Sequence, residues 1–255
     1  MQDLTPRLAD ILTLARDQGR VVVDDLAVRF GVTPQTIRKD LNDLCDRRLL
    51  KRVHGGAVLA SSVENLRYDA RRVLAADEKG RIGRHAASLI PDDCSLFINI
   101  GTTTEEVARA LTAHRDLLAI TNNINVANIL HQVPQIETII VGGVLRHSDG
   151  GIVGESATDF INQFKVDYAV IGASAIEEDG ALLDYDYREV RVSQAIIANA
   201  RTVVLVADHM KFSRSAPVRI GHIAQIDVLV TDAEPPESLA RVCADAGVRV
   251  EIAPA

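Results

Sequence analysis

The sequence predicts an α/β protein made of an N-terminal winged helix-turn-helix and a larger C-terminal, mainly parallel α/β sensor domain. Two patterns carry this. Residues 23–57, VDDLAVRFGVTPQTIRKDLNDLCDRRLLKRVHGGA, read as a short helix, a glycine-bearing turn, a second helix and a basic hairpin. From about Asp77 onward, short apolar strands without alternation are separated by amphipathic helices, the pattern of a sheet covered on both faces.

The N-terminal elements follow in order. Leu8, Ile11, Leu12 and Ala15 fall at helical spacing behind Thr5-Pro6, so the first helix spans residues 6–18 and Gly19 closes it. Asp24 or Asp25 caps the next helix, whose inward stripe is Leu26, Ala27 and Phe30. Gly31 behind it supplies the positive φ of a tight turn. Thr33 caps a third helix with Pro34 at its first position, and Ile37, Leu41, Leu44 and Cys45 form the buried face. The opposite face holds Gln35, Thr36, Arg38, Lys39 and Asn42, side chains that hydrogen-bond base edges and phosphates. They cluster at the end of a recognition helix that enters the major groove. Lys51, Arg52 and His54 then lie on a wing that turns at Gly55-Gly56, placed to follow the phosphate backbone.

Charge divides the chain the same way. Residues 1–60 hold ten Lys/Arg against eight Asp/Glu within a total of 28 against 35, so a chain of net charge −7 has a mildly positive first quarter. DNA binding is confined to that quarter, and its small excess calls for oligomerisation to reach useful affinity. No apolar run approaches the roughly 20 residues that span a bilayer, and Met1-Gln2-Asp3 begins no signal peptide, so a soluble cytoplasmic protein is expected. Cys45, Cys94 and Cys243 are too scattered for a disulfide framework or a metal cage, and no metal or cofactor is expected.

Three segments are expected: the DNA-binding domain over 1–57, a linker over 58–76 with room for one helix, and a sensing and oligomerisation domain over 77–255. Within the last, strands are predicted at 95–100, 118–121, 137–141, 167–172, 202–207, 227–231 and 248–252. Helices are predicted at 104–111, 126–132, 157–163 and 187–199 and after Pro236. Ligands of such sheets gather at the carboxyl ends of the strands. There, Gly101, Thr102, Thr103 and Thr104 join a strand to a helix N-terminus suited to a phosphate. Thr121, Asn122 and Asn123 end the next strand with groups suited to sugar hydroxyls. Gly142-Gly143, Arg146, Gly151 and Glu155 belong to a glycine-rich loop that closes over a small anion, and Lys211 adds a point charge. Each loop alone reads more readily as ordinary turn or surface chemistry; their place at consecutive strand ends is what points to a phosphorylated small molecule.

Thr33-Pro-Gln-Thr-Ile-Arg-Lys-Asp-Leu, Val53-His-Gly-Gly-Ala, Ile100-Gly-Thr-Thr, Thr121-Asn-Asn, Val141-Gly-Gly, Gly150-Gly-Ile-Val-Gly and Asp208-His-Met-Lys-Phe together resemble the DeoR family of bacterial transcriptional regulators, over nearly the whole chain. The resemblance implies a homo-oligomeric repressor, dimer or tetramer, of carbohydrate or polyol catabolic genes. It further implies release from double-stranded operator DNA by a phosphorylated effector, glycerol 3-phosphate foremost. The implied sensor fold is similar to ribose-5-phosphate isomerase, glucosamine-6-phosphate deaminase and CoA-transferase. One departure is Arg38-Lys39, where the family commonly carries Arg-Arg; lysine meets a phosphate but cannot fork onto guanine.

Two other readings compete. One is a sugar-phosphate isomerase or deaminase carrying a DNA-binding domain. It needs a carboxylate base behind the strand Asp167-Tyr-Ala-Val-Ile-Gly, where this chain has Ala173-Ser174-Ala175-Ile176. Glu177, Glu178 and Asp179 come later with Gly180, as in a hairpin. The other is a large domain that only assembles the oligomer, its loops empty.

Overall fold

The computed structural model describes residues 4–17, 20–47, 49–53, 55–59 and 68–254. The chain divides into two compact units, Met1–Leu74 and Ala75–Ala255.

In the first unit α1 (Pro6–Asp17) leads into β1 (Arg20–Val22), then α2 (Val23–Phe30), α3 (Pro34–Asp46), β2 (Leu50–Val53), β3 (Gly56–Leu59) and α4 (Tyr68–Val73). Leu8, Ile11, Leu12, Ala15, Ile37, Leu41 and Leu44 are buried together with Leu26 and Ala27, the apolar stripes of three amphipathic helices closing on one another. The turn between α2 and α3 has Gly31 at φ 61°. Thr33 caps α3 as expected, its Oγ1 accepting from Thr36 N–H at 3.2 Å with Pro34 behind it.

Three expectations are corrected here. Asp24 and Asp25 do not cap α2: the N-cap is Val22, and the two acids sit in the first turn, where they face the positive end of the helix dipole. Cys45 and Phe30 are only half-buried. The wing is a three-stranded antiparallel sheet in the order β1-β3-β2, not a lone hairpin, because Val21 pairs with Ala57. Gly56 is dictated by that third strand, since a Cβ there would stand 1.9 Å from the Val21 carbonyl oxygen. Gly19, His54 and residues 60–67 of the expected linker lie outside the described residues.

The second unit begins with α5 (Ala76–Ser88), β4 (Cys94–Ile98), α6 (Thr102–Leu111), β5 (Leu117–Thr121), α7 (Ile124–Leu130) and β6 (Ile136–Ile140). A two-stranded ribbon, β7 (Val144–Leu145) and β8 (Ile152–Val153), precedes α8 (Glu155–Ile161) and β9 (Val166–Ile171). Next come β10 (Ala175–Ile176), β11 (Ala181–Asp184), α9 (Tyr187–Ala198), β12 (Ala200–Val206) and β13 (Val218–His222). The chain closes with β14 (Val228–Thr231), α10 (Glu237–Asp245) and β15 (Arg249–Ile252). Among the described residues, seven strands form one parallel sheet in the order β15-β14-β12-β9-β4-β5-β6. Ile82, Ala86, Val107 and Leu111 cover one face with Leu96, Ile98 and Ala119; Ala157, Ile161, Val190 and Ile196 cover the other with Phe97, Ile120 and Ala169. Burial on both faces explains the absence of alternation in these strands.

The sequence reading missed α5, the ribbon β7–β8 and the addition of β13 to the hairpin β10–β11. Each small strand is only two to five residues long, and β13 gains its pairing from a distant segment, with Leu182 opposite Gly221. The Glu177–Gly180 turn is a hairpin, with Gly180 at φ 87°.

Candidate functional site

In the first unit, Gln35, Arg38, Lys39 and Asn42 are exposed along one face of α3, and Arg52 is exposed on β2. Asp40 is withdrawn from that face by Arg7 of α1, whose Nε lies 2.7 Å from its Oδ2. The hydroxyls of Thr33 and Thr36 share a hydrogen bond at 3.0 Å, so both serve the cap. Lys51 is in β2, with its side chain outside the description, as is all of His54. The solvent face of α3 thus carries two cations and two amides, a set matched to phosphates and base edges.

In the second unit the strand order reverses between β4 and β9, which opens a crevice at their carboxyl ends. On one side, α6 starts at Thr102 and not at Thr104, so Thr102, Thr103 and Thr104 form its first turn behind Gly101. Their roles differ. Thr104 Oγ1 donates to the Asn99 and Gly101 carbonyls at 2.8 Å each. The hydroxyls of Thr102 and Thr103 have no hydrogen-bond partner among the described residues. They stand beside the first-turn amides of α6, groups of the kind that accept an anion.

The neighbouring strand end is more committed. Thr121 Oγ1 donates to the Ile98 carbonyl at 2.7 Å and accepts from Asn123 N–H at 3.0 Å. Asn123 spends its amide on Glu105 at 3.2 Å and its oxygen on the Asn125 N–H at 2.9 Å. Asn122 donates from Nδ2 to the Ile152 carbonyl at 3.2 Å, and its Oδ1 has no partner among the described residues.

The glycine-rich loop docks on this end. Ile124 N–H donates to the Gly150 carbonyl at 3.0 Å, Ile152 N–H to the Asn122 carbonyl at 2.7 Å, and Gly151 bridges to Asn123. A Cβ on Gly151 would stand 2.4 Å from Ile100 Cδ1, so a larger residue there would have to displace the end of the Ile100 side chain.

Arg146 is not a free cation waiting for an anion. Its guanidinium, 15% exposed, lies 2.6 Å from Asp149, 3.0 Å from Asp186 and 2.5 Å from Glu189. Burial works against the charge, yet Glu189 and Asp149 outweigh it and hold Arg146 more firmly protonated than usual. Asp186, bonded first by Arg188 and then by Arg146 against its own burial, is lowered from 3.8 to about 2. Glu155 stands apart from this assembly, its side chain 89% exposed at the rim of a groove of about 540 Å³ between α8 and α9. Gly142 and Gly143 are exposed at the end of β6.

Lys211 lies in the short helical segment behind β12, its N–H bonded to the Asp208 carbonyl at 2.9 Å. Burial raises the Asp208 carboxyl, but Lys211 and the buried Lys79 overcome it and leave the group below its ordinary range. Sequence reasoning missed Asn99, Ser193, Asp186 and Glu189. Asn99 carried a signal, a polar residue closing the apolar run Leu96-Phe97-Ile98. The α9 residues carried none, because only the tertiary fold brings them to β4. Among the described residues, no helix is long and apolar enough to cross a membrane, and no cluster of three or more His, Cys, Asp or Glu could hold a metal ion.

Residues 7–63 match the family model of the DeoR-like helix-turn-helix domain, and residues 74–233 match that of the DeoR C terminal sensor domain. The chain is 47% identical, over 97% of its length and 98% of the relative's, to the glycerol-3-phosphate regulon repressor of Escherichia coli strain K12. The repressor of the same name from Haemophilus influenzae is 46% identical over 87% of this chain and 86% of that one. The HTH-type transcriptional repressor CsqR of Escherichia coli K12 is 42% identical over 96% and 94%. Solved structures similar to this chain include ribose 5-phosphate isomerase A from Methanocaldococcus jannaschii, with TM-score 0.40 and 17% identity over 54% of this chain and 55% of that one. Another is eIF2B beta from Chaetomium thermophilum, with TM-score 0.47 and 18% identity over 67% and 54%.

Proposed function

Because this chain belongs to the DeoR family of transcriptional regulators, we propose that it is an operator-binding repressor of glycerol or glycerol-3-phosphate catabolic genes, released when a phosphorylated polyol, glycerol 3-phosphate foremost, occupies its sensor unit. The observation that carries the reading is the first turn of α6, where the Thr102 and Thr103 hydroxyls stand open beside orphan amides at the sheet's topological reversal. Curated relatives of near-equal length named for the glycerol-3-phosphate regulon support the choice of effector.

The protein is not an enzyme; its close relatives are named as repressors. Chemistry agrees. Asp149, Asp186 and Glu189 are already engaged in ion pairs with Arg146, an arrangement that does not leave them as bases for proton abstraction.

Release follows from linkage: an effector that binds more tightly to a conformer with misplaced DNA heads shifts the population off the operator by the ratio of its two affinities. Residues 58–76 join the sensing and reading parts and carry that coupling. A homo-oligomer, dimer or tetramer, in the cytoplasm completes the reading, since one mildly basic domain binds DNA weakly.

The test is an operator titration on DNA from upstream of the protein's own gene neighbourhood, with and without millimolar glycerol 3-phosphate. Release is expected. Binding that ignores this compound and every other phosphorylated polyol or sugar would remove the sensing half of the proposal.

A further inference from the structure

We infer that the side-chain oxygens of Asn99 and Asn122 form an acceptor pair that reads the hydroxyl end of the effector, making the sensor unit selective for a phosphorylated polyol over its keto or deoxy analogues. The inference rests on the phosphorylated effector proposed above and specifies which kind the site accepts.

The two residues are neighbours. Each directly follows the register pair Ile98–Thr121 of the parallel strands β4 and β5. Alternation therefore puts both side chains on the sheet face of Phe97 and Ile120, the one packed against α8 and α9. Both residues are 1% exposed.

Their partners fix which way each amide points. Asn99 Nδ2 lies 2.8 Å from Ser193 Oγ, and that hydroxyl gives its only proton to the Glu189 carbonyl at 3.1 Å. Ser193 can then only accept, so Asn99 presents its NH2 group there. Asn122 Nδ2 faces the Ile152 carbonyl, which has nothing to donate. Neither amide can be turned over without losing its bond. Each is left with a buried Oδ1 that has no partner among the described residues. Buried acceptors in that state are costly and rare.

The chemistry of the missing partner follows. An amide oxygen accepts and never donates, so what completes the pair brings hydrogen-bond donors, which in a phosphorylated polyol are its hydroxyls. Two residues separate Asn99 from Thr102, where the first turn of α6 offers donors to a phosphate. One small molecule with a phosphate at one end and hydroxyls at the other meets both demands. A keto group at the same carbon would set oxygen against oxygen, and a deoxy carbon would leave the acceptors as they are. Both oxygens are shielded from solvent, so the effector reaches them as residues 149–152 lift, giving up the bonds that Gly150 and Ile152 make to Ile124 and Asn122, and reads the oriented pair once the loop closes again and returns the Ile152 carbonyl to Asn122 Nδ2.

Calorimetric titration of the full chain with glycerol 3-phosphate, dihydroxyacetone phosphate, propyl phosphate and inorganic phosphate tests the pair. Glycerol 3-phosphate is expected to bind about tenfold or more tightly than either of the other two esters. In Asn99→Leu and Asn122→Leu its advantage over propyl phosphate should shrink to about threefold or less, with propyl phosphate affinity retained. Should a leucine variant fail to fold, the wild-type series decides alone. Equal wild-type affinity for glycerol 3-phosphate and propyl phosphate, or an advantage that survives in the folded variants, overturns the acceptor pair and leaves the phosphorylated effector standing. Binding of none of the four overturns both.

Discussion

Arg146 Nη2 lies 2.5 Å from Glu189 Oε2, a bond that ties the glycine-rich loop to the first turn of α9. The same guanidinium forks onto Asp149 through Nε and Nη2 and reaches Asp186 through Nη1. One cation thereby neutralises parts of three carboxylates and spans two chain segments some forty residues apart. Such a residue is judged by what its removal leaves behind, which is buried negative charge.

Arg146→Leu should therefore destabilise the sensor unit by about 3 kcal/mol or more, because Asp149, Asp186 and Glu189 lose their shared counter-charge. Thermal unfolding measures it. The double variant Arg146→Leu with Glu189→Leu should recover part of the loss; an unchanged Tm in the single variant would show the cluster to be energetically idle.

Acid should weaken the same cluster. Asp186 is lowered from 3.8 to about 2, so its contribution is complete above the unfolded value and disappears as pH falls through the folded one. After allowance for solvent screening at the half-exposed Arg188, the shift corresponds to about 1 kcal/mol. Denaturant melts between pH 5 and pH 2 should show a steeper loss for the wild type than for Asp186→Asn, and parallel curves would contradict the assignment.

Thr33→Ala should lower the stability of the N-terminal unit by about 1 kcal/mol through loss of the bond to Thr36 N–H. Operator affinity should fall with it, since the first turn of α3 holds Gln35 and Arg38 in place. A Tm shift with unaltered DNA binding would mean that this turn is not what meets DNA.

Arg38→Ala should cost operator affinity about 1–3 kcal/mol and leave effector binding unchanged, because Arg38 is exposed on α3, outside the sensor unit. Gel shift and calorimetry on the same preparation separate the two. Loss of both activities would argue for a folding defect and against a reading contact.

Thr102→Val removes a hydroxyl that has no partner among the described residues, so stability should hold. Effector binding should weaken and the protein should stay on its operator at effector concentrations that release the wild type. Normal release would place the phosphate elsewhere.

Much of this molecule was readable from the chain alone. The cap at Thr33, the turn at Gly31 and the buried stripes of α1 and α3 depend on residues within one or two helical turns, and local chemistry suffices for such features. The parallel strands were legible because burial on both faces leaves continuous apolar runs. The loops Ile100–Thr104 and Thr121–Asn123 were legible as strand ends, but the division of labour within them was not. Whether a threonine hydroxyl is spent on a carbonyl, as at Thr104 and Thr121, or left open, as at Thr102, depends on neighbours that the fold supplies.

What the sequence determined by itself was the two-part plan, the exposed polar face of α3 and the family, because periodicity, capping and turn residues act over short stretches of chain. Tertiary structure alone decided that Arg146 is held by Asp186 and Glu189, that Glu155 faces solvent and that Asn99 and Asn122 lie side by side with spare oxygens. The physical reason is that charge pairing and hydrogen-bond satisfaction are settled by contacts between segments distant in the chain, such as Asn99 with Ser193, and no local pattern records which segments will meet.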